Sequence, residues 1–166
     1  MTDWEKLMNT PYRVPKKKKV RKVDTTSEAA KLRYQQAHEH NFKTQYPSAY
    51  QAGHYFKPKM PNCATANGLQ KAIENYIIWN GGRATRISSG GRKVDGKWIP
   101  GTTRNGSSDV SSTIRGMSVM WEVKIGRDVA SPAQLKEQAK EIAAGGRYYF
   151  VHCFDEFLKY YDEQTR

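Results

Sequence analysis

The chain has very little cysteine. Cys63 and Cys153 are its only two, and neither belongs to a Cys-x-x-Cys pair. That spacing argues against a zinc ribbon and against a disulfide framework, and it suits two free thiols in a cytosolic protein. Long apolar runs are also missing. Nothing approaches the roughly 18 consecutive apolar residues of a membrane span. Met1 to Asn9 lacks the apolar core of a secretory signal, so a cytoplasmic location is expected. Hydrophobic residues make up only 37% of the chain, so part of it is expected to stay outside the core. Acidic residues are few, 16 against 28 Lys and Arg, which leaves a formal charge of +12 over 166 residues. A chain of this length builds one domain with room for a tail. The excess positive charge calls for a polyanion, with DNA the first choice of partner and RNA the second. A membrane is not expected as partner, because the basic stretch has no apolar face.

What is present begins with a basic arm. Residues 1–23 hold eight Lys or Arg against Asp3 and Glu5, half of the net charge. Lys16, Lys17, Lys18, Lys19, Arg21 and Lys22 are candidate phosphate contacts, in a stretch too polar to order itself. The run also has the composition of a nuclear-import signal, but nothing else in the chain points to a nucleus. Residues 25–44 read as a helix capped at Thr25, Thr26 or Ser27, with a thin apolar stripe of Ala29, Leu32 and Ala37. His38 and His40 point to different sides of that helix and are expected to be exposed. Residues 45–62, with Pro47, Gly53, Pro58 and Pro61, read as an irregular connector.

A compact domain is expected from about Asn62. Thr65 or Asn67 can cap a helix that stops at Gly81-Gly82, with Leu69, Ile73, Tyr76 and Ile77 as its buried stripe. Glu74 lies beside that stripe and can lean toward the sheet. Arg83 to Ser88 alternates as a strand does. Ser89 to Arg104 is a basic loop with one aromatic residue, Trp98. Arg92, Lys93 and Arg104 in this loop, with Arg86 on the strand before it, are candidate nucleic-acid contacts, although a plain hairpin fits the loop equally well. Asp95-Gly96 favours a turn within it.

The most informative stretch runs from Gly106 to Gln134. Ser107 to Val110 reads as a short strand carrying Asp109, and Arg115-Gly116 as a turn. Met117 to Lys124 reads as a second strand, pairing antiparallel with the first. Glu122 and Lys124 are two apart, so on a strand they face the same way, while Trp121 and Val123 face the other. The pairing brings Asp109 toward Glu122. Two carboxylates and an ammonium on one surface suit a metal-dependent phosphodiesterase. Ser131-Pro132-Ala133-Gln134 then opens a helix, and Gln134 either closes a capping box or joins the site. The helix ends at Gly145-Gly146. Arg147 to Phe154 reads as a buried strand that includes His152, and Asp155 as the cap of a last helix.

The order helix, three strands, helix, strand, together with Gly106-Ser107-Ser108-Asp109-Val110, Glu122-Val123-Lys124 and Gln134, resembles the PD-(D/E)XK nuclease superfamily. Within it the chain resembles the VRR-NUC group, small nucleases of phages, bacteria and DNA-repair enzymes related in fold to Holliday-junction resolvases. The likeness covers about Ala64 to Phe157. Ser108 stands where the family name has proline, and the acid that many members carry on the first helix is matched by Glu74.

The resemblance implies an α/β fold, a restriction-endonuclease-like mixed sheet with an α-β-β-β-α-β core flanked by helices. Residues 62–166 would be the nuclease domain, while the arm (1–23) and the helix and connector (24–61) lie outside the likeness. Asp109, Glu122 and the Val123 carbonyl would coordinate Mg²⁺ or Mn²⁺, with Glu74 as a further candidate ligand. Lys124 would position or deprotonate the attacking water, and Gln134 would bond that water or hold Lys124. The implied activity is endonucleolytic hydrolysis of DNA, directed at branched or flapped structures, in the host cytoplasm if a phage encodes it. A homodimer would suit two paired cuts. The alternative is a non-catalytic DNA-binding or packaging protein that keeps the fold.

Overall fold

The computed structural model describes residues 23–87, 92–99 and 106–166, and of residues 92–94 and 98–99 the backbone alone. In chain order the elements are α1 (Glu28–Gln45), α2 (Pro47–Gln51), α3 (Ala66–Trp79), β1 (Arg83–Arg86), β2 (Arg92–Val94), β3 (Lys97–Ile99), β4 (Val110–Ile114), β5 (Met117–Val123), α4 (Pro132–Ala143), β6 (Arg147–Val151) and α5 (Phe154–Thr165). The central sheet has the order β1-β4-β5-β6. Its first two pairings are antiparallel and the last is parallel, so α4 is the crossover. The protein is therefore an α/β domain with a four-stranded mixed sheet flanked by helices. A separate hairpin, β2–β3, turns at Asp95-Gly96. Among the described residues no helix is long and apolar enough to cross a membrane.

Alternation along β5 divides the sheet into two unlike faces. Val119, Trp121 and Val123 are buried on one face with Val110, Ser112 and Ile114 of β4. Trp121 stacks edge-on against Phe157 at 4.9 Å, and Tyr76 of α3 meets Phe154 and Phe157 at 5.7 Å each. Such pairs add about 0.5–1.5 kcal/mol beyond the area they bury. Ser112 is buried in this apolar layer because it joins two partners. It accepts from the Trp121 indole N–H at 2.9 Å and donates to the Val119 carbonyl at 2.7 Å.

α1 belongs to the same core. Its buried residues are Ala30, Tyr34 and Ala37, whereas Leu32, expected in the stripe, is 53% exposed. Tyr34 can be buried because its hydroxyl accepts from Asn75 at 2.9 Å and its ring packs on Trp79 at 4.8 Å. Ser27 caps the helix and its backbone N–H donates to Asp155 at 3.1 Å, while Arg33 makes a two-pronged pair with Asp162 at 2.7 and 2.9 Å. The packed body thus begins near Asp24, not near Asn62. His38 is half-buried, 4.6 Å from Trp79, and burial lowers its pKa. It is therefore not the exposed histidine expected, although His40 is exposed.

Other boundaries also move. The connector contains α2. The strand expected at Ser107–Val110 starts at Val110, so Asp109 lies just ahead of it. β6 stops at Val151 and leaves His152 exposed, bonded to Glu156. Cys153 holds the N-cap position of α5 without a side-chain cap bond, and Asp155 in the first turn serves Ser27 instead.

Candidate active site

The opposite face of the sheet, covered by α4, is polar. No residue of α4 is buried. The helix is tied to the sheet by side-chain hydrogen bonds, Gln138 to the Tyr148 carbonyl at 3.1 Å and Ser118 to Glu141 at 2.6 Å. Leu135 and Ile142 are left half-exposed on its outer side.

Register decides which side chains meet under α4. Val110 pairs with Trp121, so carrying the antiparallel pairing back one residue sets Asp109 opposite Glu122. Pairing stops there, and the Asp109 carboxylate takes over from the ladder by accepting the Val123 N–H at 2.8 Å. The Lys124 N–H points the other way, to the Val151 carbonyl at 2.9 Å. In an extended strand N–H and C=O of one residue share an edge, so the Val123 carbonyl faces the Asp109 side. Its side chain goes into the apolar core, where it is buried.

Glu122 and Lys124 are each only 4% exposed, and the Lys124 ammonium lies 3.2 Å from the Glu122 carboxylate. Gln134 joins them. Its Oε1 accepts from Lys124 at 2.8 Å and from the Ser131 backbone N–H at 2.9 Å, while its Nε2 donates to Glu122. Flipping the amide would set its NH₂ against the ammonium, so the network fixes its orientation. The Ser131 hydroxyl accepts the Gln134 N–H, completing a capping box. The two roles weighed for Gln134 are therefore one arrangement: the cap aims the amide at the site.

Two further residues join the site without having been singled out from the sequence. Tyr148 of β6 is buried, with its hydroxyl 3.4 Å from Glu122 and 3.5 Å from the Gly106 carbonyl. Asp128 lies 3.5 Å from the Lys124 ammonium at the rim. A signal for Tyr148 was present, because a tyrosine in a buried strand needs a partner for its hydroxyl and its parity with Tyr149 sets the two on opposite faces. Gly106 closes the arrangement with a left-handed φ of +89°. A Cβ there would come within 2.6 Å of the Ala133 carbonyl oxygen, so the loop leading to Asp109 lies directly on the first turn of α4.

Burial raises the Glu122 pKa to about 7, and the negative charge of Asp109 pushes it the same way, against the pull of Lys124 and Tyr148. Burial and then Glu122 likewise hold the Tyr148 phenol far above its ordinary range. Two carboxylates are thus held where their charges conflict, a conflict that a divalent cation relieves. Hard oxygen donors suit Mg²⁺ or Mn²⁺, and Mg²⁺ commonly binds through one or two carboxylates with water completing its shell. Asp109, Glu122 and the Val123 carbonyl fit that donor set.

The remaining expected residues are dispersed. Among the described residues no group of three or more His, Cys, Asp or Glu is placed to hold a metal. Glu74 therefore does not add a third carboxylate to Asp109 and Glu122. It is half-buried on α3, whose apolar stripe packs on the other face of the sheet. Arg86 donates from one guanidinium nitrogen to Asn67 at 2.8 Å and Gln70 at 2.7 Å, which ties β1 to α3, and its buried Nε has no partner among the described residues. Lys16, Lys17, Lys18, Lys19, Arg21, Lys22 and Arg104 lie outside the described residues, as do the side chains of Arg92, Lys93 and Trp98.

The chain matches no protein-family model, no curated protein and no solved structure.

Proposed function

We propose that the protein is a divalent-metal-dependent nuclease that hydrolyses DNA phosphodiester bonds, on a sheet of the restriction-endonuclease kind. The observation that carries this reading is the buried Glu122–Lys124–Gln134 network, with Asp109 pressing its charge on Glu122. A buried carboxylate held against a second one is costly for a fold and useful to a cation-assisted reaction. Asp109, Glu122 and the Val123 carbonyl would hold Mg²⁺ or Mn²⁺. When bound, the ion supplies Lewis-acid polarisation of the phosphate and a lower pKa for water.

The chain's own groups do the remaining work. Lys124 offers a fixed ammonium to the charge that grows on the phosphate oxygens, in a site where little water screens it. Gln134 holds that ammonium and the Glu122 carboxylate in one set of hydrogen bonds, so neither has to reorganise during the reaction. The +12 charge draws a polyanion to the surface. Endonucleolytic action on branched or flapped DNA is the form of the activity expected.

The test is cleavage of supercoiled plasmid, a flapped duplex and RNA, each with Mg²⁺, with Mn²⁺ and with EDTA. Wild type should cut DNA only with metal, and Asp109→Ala and Lys124→Ala should each abolish cutting. Cutting that persists in both variants would remove the site assignment. One observation favours a second reading, binding without cleavage: both Glu122 oxygens already have protein partners. Tight, salt-sensitive binding with no product in any divalent metal would establish that reading instead.

A further inference from the structure

Between His40 and Asn62 the chain carries no aspartate or glutamate. The same stretch holds Lys43, Lys57, Lys59, His40 and His54, and five aromatic residues, Phe42, Tyr46, Tyr50, Tyr55 and Phe56. The end of α1, α2 and the connector gather most of these rings into one array. Phe42 lies 5.4 Å from Tyr46 and 5.6 Å from Tyr55, and Tyr50 lies 5.9 Å from Tyr55. Beneath them His38 contacts Tyr55 at 5.6 Å and Trp79 at 4.6 Å, which anchors the array to α3. The Tyr50 hydroxyl is held by Glu39 at 2.7 Å, and the Lys43 ammonium sits 5.6 Å from the Tyr50 ring centre.

Two rings of this stretch, Tyr46 at the edge of the array and Phe56 beside Tyr55 in the chain, are open. Tyr46 is 60% and Phe56 81% exposed, the two most exposed aromatic side chains among the described residues. Lys43, Lys57 and Lys59 are exposed in the same stretch, with Lys57 next in the chain to Phe56. An anchored ring array edged with cations matches the chemistry of single-stranded nucleic acid, whose bases offer free π-faces and whose phosphates offer charge. A duplex keeps its base faces stacked and cannot use such rings. A protein partner fits less well, because lysine is depleted at protein interfaces.

We propose that this surface is a stacking platform for a single-stranded segment of nucleic acid. It goes beyond the cleavage reading and does not depend on it. If that reading holds, the platform supplies a means of choosing flapped or branched DNA, which carries unpaired strands beside duplex.

The test measures binding by the full chain in EDTA, using fluorescence anisotropy of a labelled oligothymidylate and of a duplex of equal length, over a series of salt concentrations. The Tyr46→Ala/Phe56→Ala double variant should lose about 10- to 100-fold in single-strand affinity, with duplex affinity within about twofold and the salt slope unchanged. Phe56→Trp should keep wild-type affinity. The Lys43→Ala/Lys57→Ala/Lys59→Ala variant should flatten the single-strand salt slope by about 0.7 for each phosphate no longer neutralised. Unchanged single-strand affinity in the double variant, or an equal loss on both ligands, would overturn the platform. Because the assay reads binding without metal, absence of cleavage leaves it intact, and its failure leaves the cleavage reading intact.

Discussion

Trp121 and Glu122 are adjacent in the chain and lie on opposite faces of one sheet. Trp121 enters an aromatic and aliphatic layer shared by α1, α3 and α5, where its one polar atom is satisfied by Ser112. Glu122 enters a polar layer under α4, where its charge is buried near that of Asp109. One face gains stability from burial, and the other bears an electrostatic cost. On the proposed reading, that cost belongs to the side that does chemistry.

The largest effects should separate the two faces completely. Trp121→Ala removes a fully buried ring and leaves Ser112 short of a partner, and should cost about 3–5 kcal/mol in urea unfolding. Asp109→Asn should leave the free energy of unfolding within about 1 kcal/mol of wild type while cutting metal-dependent cleavage by about 10³-fold. Equal stability losses in the two variants would erase the contrast.

A pH series isolates the polar face. The Glu122 pKa stands near 7 when folded, above the ordinary value of 4.5. The folded state therefore holds its proton more tightly between those values. This group's contribution to metal-free stability is present below about 4.5, falls as pH rises toward 7, and is level above that. The fall should be on the order of 1–3 kcal/mol. Glu122→Gln should remove that slope, as seen in denaturation curves collected from about pH 4.5 to 7.5. Saturating Mn²⁺ should oppose the fall at the alkaline end.

Gln134 allows its cap and its site role to be read apart. Gln134→Ala should cost about 1 kcal/mol through the lost capping box and also lower cleavage. Gln134→Glu keeps a cap acceptor but sets a carboxylate against Glu122, so it should keep the stability of the cap only at a pH where that pair holds a proton, and should lose cleavage about 10-fold or more. The smallest effect belongs to the exposed outer side of α4. Leu135→Ser should stay within about 0.5 kcal/mol of wild type, with cleavage unchanged.

Much of this was legible from residue order. Thr65, Ser131-Pro132 and the Gly-Gly pairs marked helix ends where the structure has them, and Arg115-Gly116 turns with φ of +49° and +81° as a two-residue hairpin turn does. The alternation of Trp121, Glu122, Val123 and Lys124 assigned each to its face. What stayed hidden depended on partners distant in sequence. Ser111, Ser112 and Thr113 did not look like a central strand, because the Trp121 indole that makes Ser112 burial tolerable sits on another strand. α1 looked marginal because Tyr34 is held by Asn75 of α3 and Ser27 by Asp155 of α5. Glu74 had the right residue type for the site, but α3 packs its apolar stripe on the other face, and Arg86 is tied at one guanidinium nitrogen to Asn67 and Gln70 of that helix. Tyr148 lay within an apolar run whose composition pointed to core, and only the need of its hydroxyl for a partner marked it out.

The central claim is that the two carboxylates under α4 share a divalent cation. Anomalous diffraction from a crystal soaked in Mn²⁺ addresses it most directly. The expected result is a peak within about 2.5 Å of a carboxylate oxygen of both Asp109 and Glu122, lost in Asp109→Asn. A map with no peak there at saturating Mn²⁺, or with manganese bound only elsewhere, would contradict it.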